Sequence, residues 1–238
     1  MDTFGVDIGN TQIKVAFWRE DSLQAVHRVR TLDEASALIH AQSCTRGIVS
    51  NVGMEEERLQ QILPDWGNPL VFSSTTPIPI ANQYRSPQTL GLDRLAAAVG
   101  AHVLFPQEPV LIIDIGTAIK MDIVLPDEGF VGGYISPGIR IRFQSLHSFT
   151  NRLPLLEPEP FDSLIGQTTQ ECLLAGVMQG TLAEIEGMIQ KFQVEYPFRL
   201  VFSGGDAHFF ESQIKTTKFT EPNLVLIGLH RILQHNVH

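Results

Sequence analysis

A short turn between two apolar strands occurs twice in this sequence and constrains the fold more than any other feature. The first copy is DIGNT at residues 7–11, which is followed by QIKVAFW, and the second is DIGTA at residues 114–118, which is followed by IKMDIV. Runs rich in β-branched and aromatic residues on both sides of a Gly-containing turn predict a β-hairpin in each place. Two similar α/β halves are the simplest explanation of this recurring unit.

Helix and strand patterns alternate around the hairpins. Thr31 and Glu34 have the spacing of a capping box ahead of a helix at residues 35–41. Residues 64–87 are rich in proline and hydroxyl residues, so we expect them to be mostly loop. Residues 129–138, GFVGGYISPG, interrupt the pattern. Further strands are predicted at residues 46–52, 110–114 and 199–203, and further helices at 55–63, 92–104, 169–196 and 224–233.

Composition and charge exclude several classes of partner. The chain has 17 basic and 26 acidic residues, a formal net charge of -9, and its Lys and Arg are scattered, which disfavours nucleic acid. We expect no signal peptide and no apolar stretch near the roughly 20 residues that span a bilayer. Cys44 and Cys172 lack metal-ligand spacing and indicate a reducing compartment. A cytoplasmic protein without nucleic-acid or membrane partners is therefore predicted.

The repeated turn has a chemical interpretation and a purely structural one. Glycine and a hydroxyl residue let backbone N–H and O–H groups approach a phosphate, and an Asp at a strand end can hold a cation or water. A single such turn could equally be an ordinary one, in which Asp and Asn bond their own backbone. The two copies, with a third glycine cluster SGGDA at residues 203–207 after a predicted strand, favour a nucleotide cleft.

These features together resemble the actin-like ATPase and sugar kinase superfamily, in which two phosphate hairpins and an adenosine loop occur in this order. Three further segments narrow the resemblance to type III pantothenate kinases: NQYRSPQTLGLDR at 82–94, GGYISPG at 132–138 with SFTNRLP at 148–154, and IGQTTQECLLAG at 165–176. The resemblance implies an actin-like (ribonuclease H-like) α/β fold with two similar halves around a nucleotide cleft. We expect these halves at residues 1–110 and 111–238.

The resemblance also implies the activity: ATP-dependent phosphorylation of pantothenate to 4'-phosphopantothenate, the first step of coenzyme A synthesis. The expected cofactors are ATP with Mg²⁺ or another divalent metal, and K⁺ or NH₄⁺ as a monovalent cation. The implied ATP-binding residues are Asp7, Ile8, Gly9, Asn10, Thr11, Gln12, Ile13, Lys14, Thr117, Gly204 and Gly205. Asp7 would lie near the divalent metal and Asp114 would hold the monovalent cation.

The substrate residues implied by the resemblance are Tyr84, Gly91, Leu92, Asp93, Arg94 and Thr169. Asp93 would be the general base that accepts the proton of the substrate hydroxyl. Arg94 offers a planar guanidinium suited to the carboxylate of pantothenate. Thr169 would come from the neighbouring subunit of a homodimer, whose substrate site is shared across the interface.

Each of these residues has an ordinary structural alternative. Asp93 could be a helix N-cap and Arg94 part of a surface ion pair, while Thr169 could be a helix-start hydroxyl and Tyr84 a half-buried loop aromatic. Lys14 could be a solvated strand residue. The histidines, including His230, His235 and His238, have no metal-ligand spacing, and we expect them on the surface.

One position departs from the family pattern. The second hairpin carries Lys120 where the family more usually has a small hydroxyl residue, and strand alternation places Lys120 on the same face as Asp122. The ammonium could partly replace the monovalent cation, or Lys120 could pair with Asp122 or extend into solvent. Two other functions also remain open: a non-catalytic regulatory relative of the same fold, and another actin-like kinase or phosphatase acting on a sugar or polyphosphate.

Overall fold

The computed structural model describes residues 2–42, 44, 46–54 and 56–237, which form two compact units. The first unit comprises residues 1–107, 124–132 and 223–238, and the second comprises 108–123 and 133–222. This division differs from the expected boundary between residues 110 and 111, because residues 124–132 and the last helix belong to the first unit. No local pattern in the sequence indicates that a late segment of the chain packs in the first unit.

The first sheet has five strands in the order β3-β2-β1-β4-β5. β1 pairs antiparallel with β2 and parallel with β4, so the predicted first hairpin is confirmed. Its strands are β1 (Asp2–Ile8), β2 (Ile13–Arg19), β3 (Ser22–Val29), β4 (Arg46–Asn51) and β5 (Leu70–Val71). The helices of this unit are α1 (Leu32–His40), α2 (Glu56–Ile62), α3 (Leu92–Leu104) and α7 (Leu224–Asn236).

The second sheet also has five strands, in the order β10-β9-β6-β7-β8. β6 and β7 flank the second Asp-Ile-Gly turn and are neighbours in the sheet, as the sequence predicted. Its strands are β6 (Val110–Ile115), β7 (Ala118–Leu125), β8 (Gly129–Pro137), β9 (Arg199–Ser203) and β10 (Lys218–Thr220). The helices of the second unit are α4 (Ile139–Ser148), α5 (Thr169–Leu174) and α6 (Gly180–Glu195).

Local signals located most of these elements correctly. Thr31 caps α1, and its side chain and that of Glu34 form both bonds of the capping box. The prediction for GFVGGYISPG was wrong, because those residues form β8, a strand with four glycine and proline residues that pairs at the edge of the sheet. Such residues are unfavourable in an isolated strand, so the pairing is decided by tertiary context.

The longest helical segment runs from Thr169 to Glu195 and contains a π-helical turn at Ala175–Gln179. By length and composition alone it would suffice to cross a membrane, so the expectation that no segment is long enough was wrong. The core helix of a soluble protein passes the same test, and in this structure 44% of the most apolar window is buried. Its buried residues include Leu173, Val177, Ile185 and Ile189, which recur with helical spacing along one face.

His230 is buried, which corrects the expectation that it lies on the surface. Its ring stacks on Trp18 with centroids 4.6 Å apart and an interplanar angle of 4°, and its Nδ1 lies 3.4 Å from Thr3 Oγ1. Burial lowers the pKa of His230, although the nearby Asp21 carboxylate opposes the shift. His235 is exposed, as expected, and His238 lies outside the described residues.

α3 and α7 cross within the first unit at two glycines. A Cβ atom added at Gly228 would lie 1.8 Å from the carbonyl oxygen of Ala96, and one added at Gly100 would lie 2.3 Å from that of Leu224. Real Cβ atoms do not approach backbone oxygens this closely, so the two helix backbones touch directly. The crossing therefore requires the absence of a side chain at both positions.

We predict that Gly228→Ala lowers the free energy of unfolding by about 1–3 kcal/mol, because the added methyl group forces the two helices apart. The matched control is Gly187→Ala in α6, where an added Cβ meets no heavy atom within 4 Å. The control should keep or raise stability by up to about 1 kcal/mol, since Ala favours a helix interior over Gly. Urea unfolding followed by circular dichroism measures both changes, and equal effects would contradict the close crossing.

Candidate functional site

The first hairpin presents an open turn that is supported from one side. Asp7 and Lys14 lie opposite each other in the β1-β2 register, and the N–H of Gly9 donates to the carbonyl of Gln12 across the turn at 3.1 Å. Asn10 and Thr11 are exposed at the tip. The turn can therefore offer backbone and side-chain donors to a phosphate, while Asp7 and Lys14 lie at its base.

The loop after β4 holds this turn in place. A Cβ added at Gly53 would lie 2.4 Å from the carbonyl oxygen of Gly9, so the two loops are in backbone contact. Asn51 fixes the supporting loop, because its Oδ1 accepts from the N–H of Met54 at 3.0 Å and its Nδ2 donates to the Met54 carbonyl at 2.9 Å. This support explains how a turn with exposed tip residues keeps a defined shape.

Asp7 is the first hairpin's carboxylate and is suited to a divalent metal in type and position. It is half-buried at the end of β1, beside buried Ser50 of the parallel strand β4. Mg²⁺ in phosphoryl-transfer enzymes is usually held by one or two carboxylates together with the phosphates and water, rather than by a cage of protein ligands. A single carboxylate at the base of a turn that can offer donors to a phosphate fits that pattern.

Arg94 is buried at the start of α3 and packs against two neighbouring aromatic rings. It is only 5% exposed, and its guanidinium carbon lies 5.5 Å from the ring centroid of Tyr84 and 5.6 Å from that of Phe130. Both distances are within the range of a cation–π interaction. The alternative of a surface ion pair is therefore wrong, and Phe130 is a neighbour that the sequence did not identify.

Backbone pairing brings Tyr84 and Phe130 together. The N–H of Phe130 donates to the carbonyl of Ala81 at 2.9 Å, and the N–H of Gln83 donates to the carbonyl of Phe130 at 2.8 Å. The Tyr84 and Phe130 ring centroids are 5.9 Å apart. Tyr84 is half-buried, so the loop that precedes α3 carries it as a supported side chain beside Arg94.

Asp93 lies in the first turn of α3, next to Arg94. The N-cap is Gly91, so the alternative that Asp93 is the N-cap is wrong. Asp93 Oδ1 accepts from the N–H of Arg94 at 2.9 Å, and a Cβ at Gly91 would lie 2.7 Å from the same oxygen. Gly91, Leu92, Asp93, Arg94 and Tyr84 thus form one group within the first unit, with the Asp93 carboxylate half-buried.

The second Asp-Ile-Gly turn lies beside the glycine loop of residues 203–207. Asp114 is opposite Ser203 in the parallel β6-β9 register, and Gly204, with φ of +92°, packs so closely that its Cβ would lie 2.4 Å from Asp114 Oδ1. Thr117 and Gly205 are exposed. The sequence predicted the strand before this loop correctly, whereas the element after it is only a short 3₁₀ turn at Ala207–Phe209.

Lys120 forms an ion pair with the turn's aspartate. Its Nζ lies 2.7 Å from Asp114 Oδ2, and the two side chains are 17% and 18% exposed. The alternative that Lys120 extends into solvent is therefore wrong. An ammonium group bound to Asp114 does not fit a monovalent ion at the same carboxylate, which departs from what the resemblance implied.

Thr169 is exposed at the first position of α5 in the second unit. The helix is capped by the preceding Thr168, whose side chain accepts from the N–H of Glu171 in a complete capping box. Capping of α5 therefore does not account for Thr169.

A half-buried polar cluster in the second unit was missed by sequence reasoning. Glu184 of α6 accepts hydrogen bonds from Tyr134 and Ser136 of β8, the latter at 2.6 Å, and from the guanidinium of Arg142 in α4. Burial alone would raise the pKa of Glu184, but these three donors outweigh it and lower the pKa. Burial and the bond to Glu184 raise the pKa of Tyr134. The cluster ties GGYISPG to two helices.

Solved structures with similar backbones show the fold of this chain. A glucokinase from an Antarctic psychrotroph matches with a TM-score of 0.54 and 11% identity over 99% of each chain. A protein described as a Baf family transcriptional activator from Campylobacter jejuni matches with a TM-score of 0.63 and 21% identity over 98% of each chain. The chain therefore has an actin-like α/β fold.

Sequence comparison then identifies the family. Residues 3–191 match the family model of type III pantothenate kinase. A type III pantothenate kinase of Porphyromonas gingivalis is 38% identical over 239 residues, with 98% of both chains covered. One of Phocaeicola vulgatus is 39% identical over 235 residues, with 97% of both covered. The chain belongs to the type III pantothenate kinase family.

We predict that Glu184→Gln lowers the free energy of unfolding at pH 7 by about 1–3 kcal/mol, because it leaves the Arg142 guanidinium without its counter-charge. Because the pKa of Glu184 is lowered in the folded protein, its contribution is present above the ordinary value of 4.5 and is lost as pH falls through the folded pKa. Denaturant unfolding between pH 7 and pH 3 measures the difference.

The control for this variant is Glu195→Gln, at the exposed C-terminal end of α6. It should change stability by less than about 0.5 kcal/mol, as surface substitutions usually do. A Glu184→Gln protein as stable as the wild type at pH 7 would show that the cluster contributes nothing to the fold.

Proposed function

We propose that this protein transfers the γ-phosphoryl group of ATP to the hydroxyl of pantothenate, giving 4'-phosphopantothenate for coenzyme A synthesis. The observation that carries the proposal is the group formed by Tyr84, Asp93 and Arg94 at the start of α3, in a chain that belongs to the type III pantothenate kinase family. On this proposal the protein works in the cytoplasm, where ATP is available.

Asp93 is the proposed general base. Phosphoryl transfer needs the acceptor hydroxyl held in line and a group that takes its proton. The Asp93 carboxylate is half-buried in the first helical turn, and the Arg94 N–H holds its Oδ1 in a defined position. Such a base contributes roughly a hundredfold to ten-thousandfold to the rate.

Arg94 and Tyr84 are the residues proposed to determine substrate specificity. Pantothenate has a carboxylate, and a guanidinium can bind a carboxylate through two parallel hydrogen bonds. Arg94 is buried against the two neighbouring rings, so its side chain is already ordered and little side-chain entropy is lost on binding. Gly91 and Leu92 would contribute backbone contacts beside Asp93. A sugar substrate has no carboxylate for this group, which disfavours the sugar kinase alternative.

The proposed nucleotide residues belong to the two Asp-Ile-Gly turns and the glycine loop. The first turn, residues 7–14, would bind phosphates through its N–H groups, Asn10, Thr11 and Lys14, with Asp7 near the divalent metal. Thr117 would bind phosphate in the second turn, while Gly204 and Gly205 would let the nucleotide approach the backbone closely. Bound Mg²⁺ would neutralise charge on the phosphates as the transfer proceeds.

The proposed functional form is a homodimer in which Thr169 reaches the substrate of the partner subunit. Support comes from the exposed apolar side chains that precede Thr169 in the second unit: Phe149 is 88% exposed, Leu164 81% and Ile165 77%. Large apolar side chains exposed within one short stretch are typical of a surface that another protein covers. A symmetric dimer would bury the same stretch on both subunits.

We predict that replacing Leu164 and Ile165 together by Glu converts the dimer to a monomer and reduces pantothenate turnover at least tenfold. Burying two charges at an apolar contact is strongly unfavourable, and the site would lose the partner's Thr169. Light scattering coupled to size exclusion gives the mass, and Val194→Glu, at another 86% exposed apolar residue, is the control. A wild-type monomer that turns over normally would contradict the role of Thr169.

We predict that Asp93→Asn lowers pantothenate-dependent ADP formation by roughly a hundredfold to ten-thousandfold, while ATP binding is kept. The matched control is Asp33→Asn, because Asp33 is likewise the second residue of a helix but is exposed in α1. Steady-state kinetics and ATP titration of all three proteins measure the two effects. Wild-type protein that binds ATP without turnover would instead favour the regulatory alternative.

A further inference from the structure

Lys120 lies beside Asp114, where the family resemblance implies a bound monovalent cation. Its ammonium lies 2.7 Å from Asp114 Oδ2, at the carboxyl end of β6, and both side chains are more than four-fifths buried. Gly204 packs against the other carboxylate oxygen, Oδ1. Asp114 is thus contacted on both oxygens by groups of the second unit.

We infer that the Lys120 ammonium serves as a built-in monovalent cation, so that this protein needs no K⁺ or NH₄⁺ from solution. The inference rests on the proposed function, since it concerns the nucleotide-binding turn of the same site. Of the three possibilities that the sequence left open for Lys120, the inference favours replacement of the monovalent cation. The residue acts by neutralising and positioning Asp114, and it takes no part in the proton transfer.

Electrostatics makes the ammonium and a bound ion mutually exclusive. Two like charges at one carboxylate repel each other, and screening by salt is weak for a pair that is largely buried. A tethered ammonium is also present at every salt concentration, because its local concentration is set by the chain and not by the solution. Lys120 should therefore keep the Asp114 turn in its phosphate-binding shape with no dependence on cation supply.

The position of Lys120 on β7 makes this contact possible. β7 follows the turn directly and is the sheet neighbour of β6, so residue 120 comes back alongside residue 114. The turn is closed by the N–H of Gly116, which donates to the carbonyl of Ala118 at 3.1 Å. With a small hydroxyl residue at position 120, the space beside Asp114 that the Lys120 ammonium now fills would be empty. That space would suit an ion with water.

The test compares wild type with Lys120→Thr and Lys120→Met at constant ionic strength, with choline chloride replaced stepwise by potassium chloride. Wild-type turnover should change less than twofold from zero to 100 mM K⁺. Lys120→Thr should lose at least tenfold without K⁺ and recover most of it with K⁺. Lys120→Met fills the same space without charge, so it should be slow and should not respond to K⁺.

Thermal unfolding in the presence of ATP provides a readout that does not need turnover. K⁺ should raise the midpoint of Lys120→Thr by several degrees relative to choline, and should leave wild type unchanged. Wild type that is stimulated tenfold by K⁺, or folded Lys120→Thr that neither slows nor responds to K⁺ in either assay, would overturn the inference. Absence of pantothenate turnover in all proteins would reject the proposed function, while the thermal shifts would still decide the role of Lys120.

Discussion

The direct backbone contact between α3 and α7 is the constraint on which the proposed substrate site depends. Gly100 and Gly228 let the two helices touch, which fixes the axis of α3 against the C-terminal helix. α7 also packs on β1, the strand that ends in the first Asp-Ile-Gly turn. The first turn of α3, with Asp93 and Arg94, and the first hairpin are therefore positioned by the same helix within one unit.

Charge is compensated locally at Asp114, Glu184 and Arg94, in a chain whose net charge is -9. Asp114 is balanced by Lys120 and Glu184 by Arg142, and Arg94 packs against two neighbouring aromatic rings. Charged groups that are mostly removed from water need such partners, because an isolated buried charge is strongly destabilising. The result is a set of polar groups whose orientation is fixed before any ligand binds.

Features that depend on neighbouring residues could be predicted from the sequence. The hairpin at Asp7, the capping box of Thr31 and Glu34, and the Ala-rich helix α3 all follow from local propensity and spacing. The resemblance to a kinase family added Asp93 and Arg94 as substrate residues, and the structure places them side by side. Their catalytic and binding roles are predictions.

Features that depend on distant partners could not be predicted. Arg94 is buried because Phe130, 36 positions further along the chain, packs against it. His230 is buried because Trp18 stacks on it. The Glu184 cluster joins β8, α4 and α6, and no spacing in the sequence indicates it. Strand β8 was missed for the same reason, since two of its glycines, Gly129 and Gly133, become favourable only where another backbone packs against them.

The most direct test of the central claim is to identify the product made by wild-type protein from Mg-ATP and pantothenate. Mass spectrometry of the reaction mixture, with ADP measured in parallel, distinguishes transfer from hydrolysis. The proposed activity predicts 4'-phosphopantothenate and ADP in equal amounts, and little ADP when pantothenate is omitted. ADP formed at the same rate without pantothenate, or no phosphorylated pantothenate from folded protein that binds ATP, would contradict it.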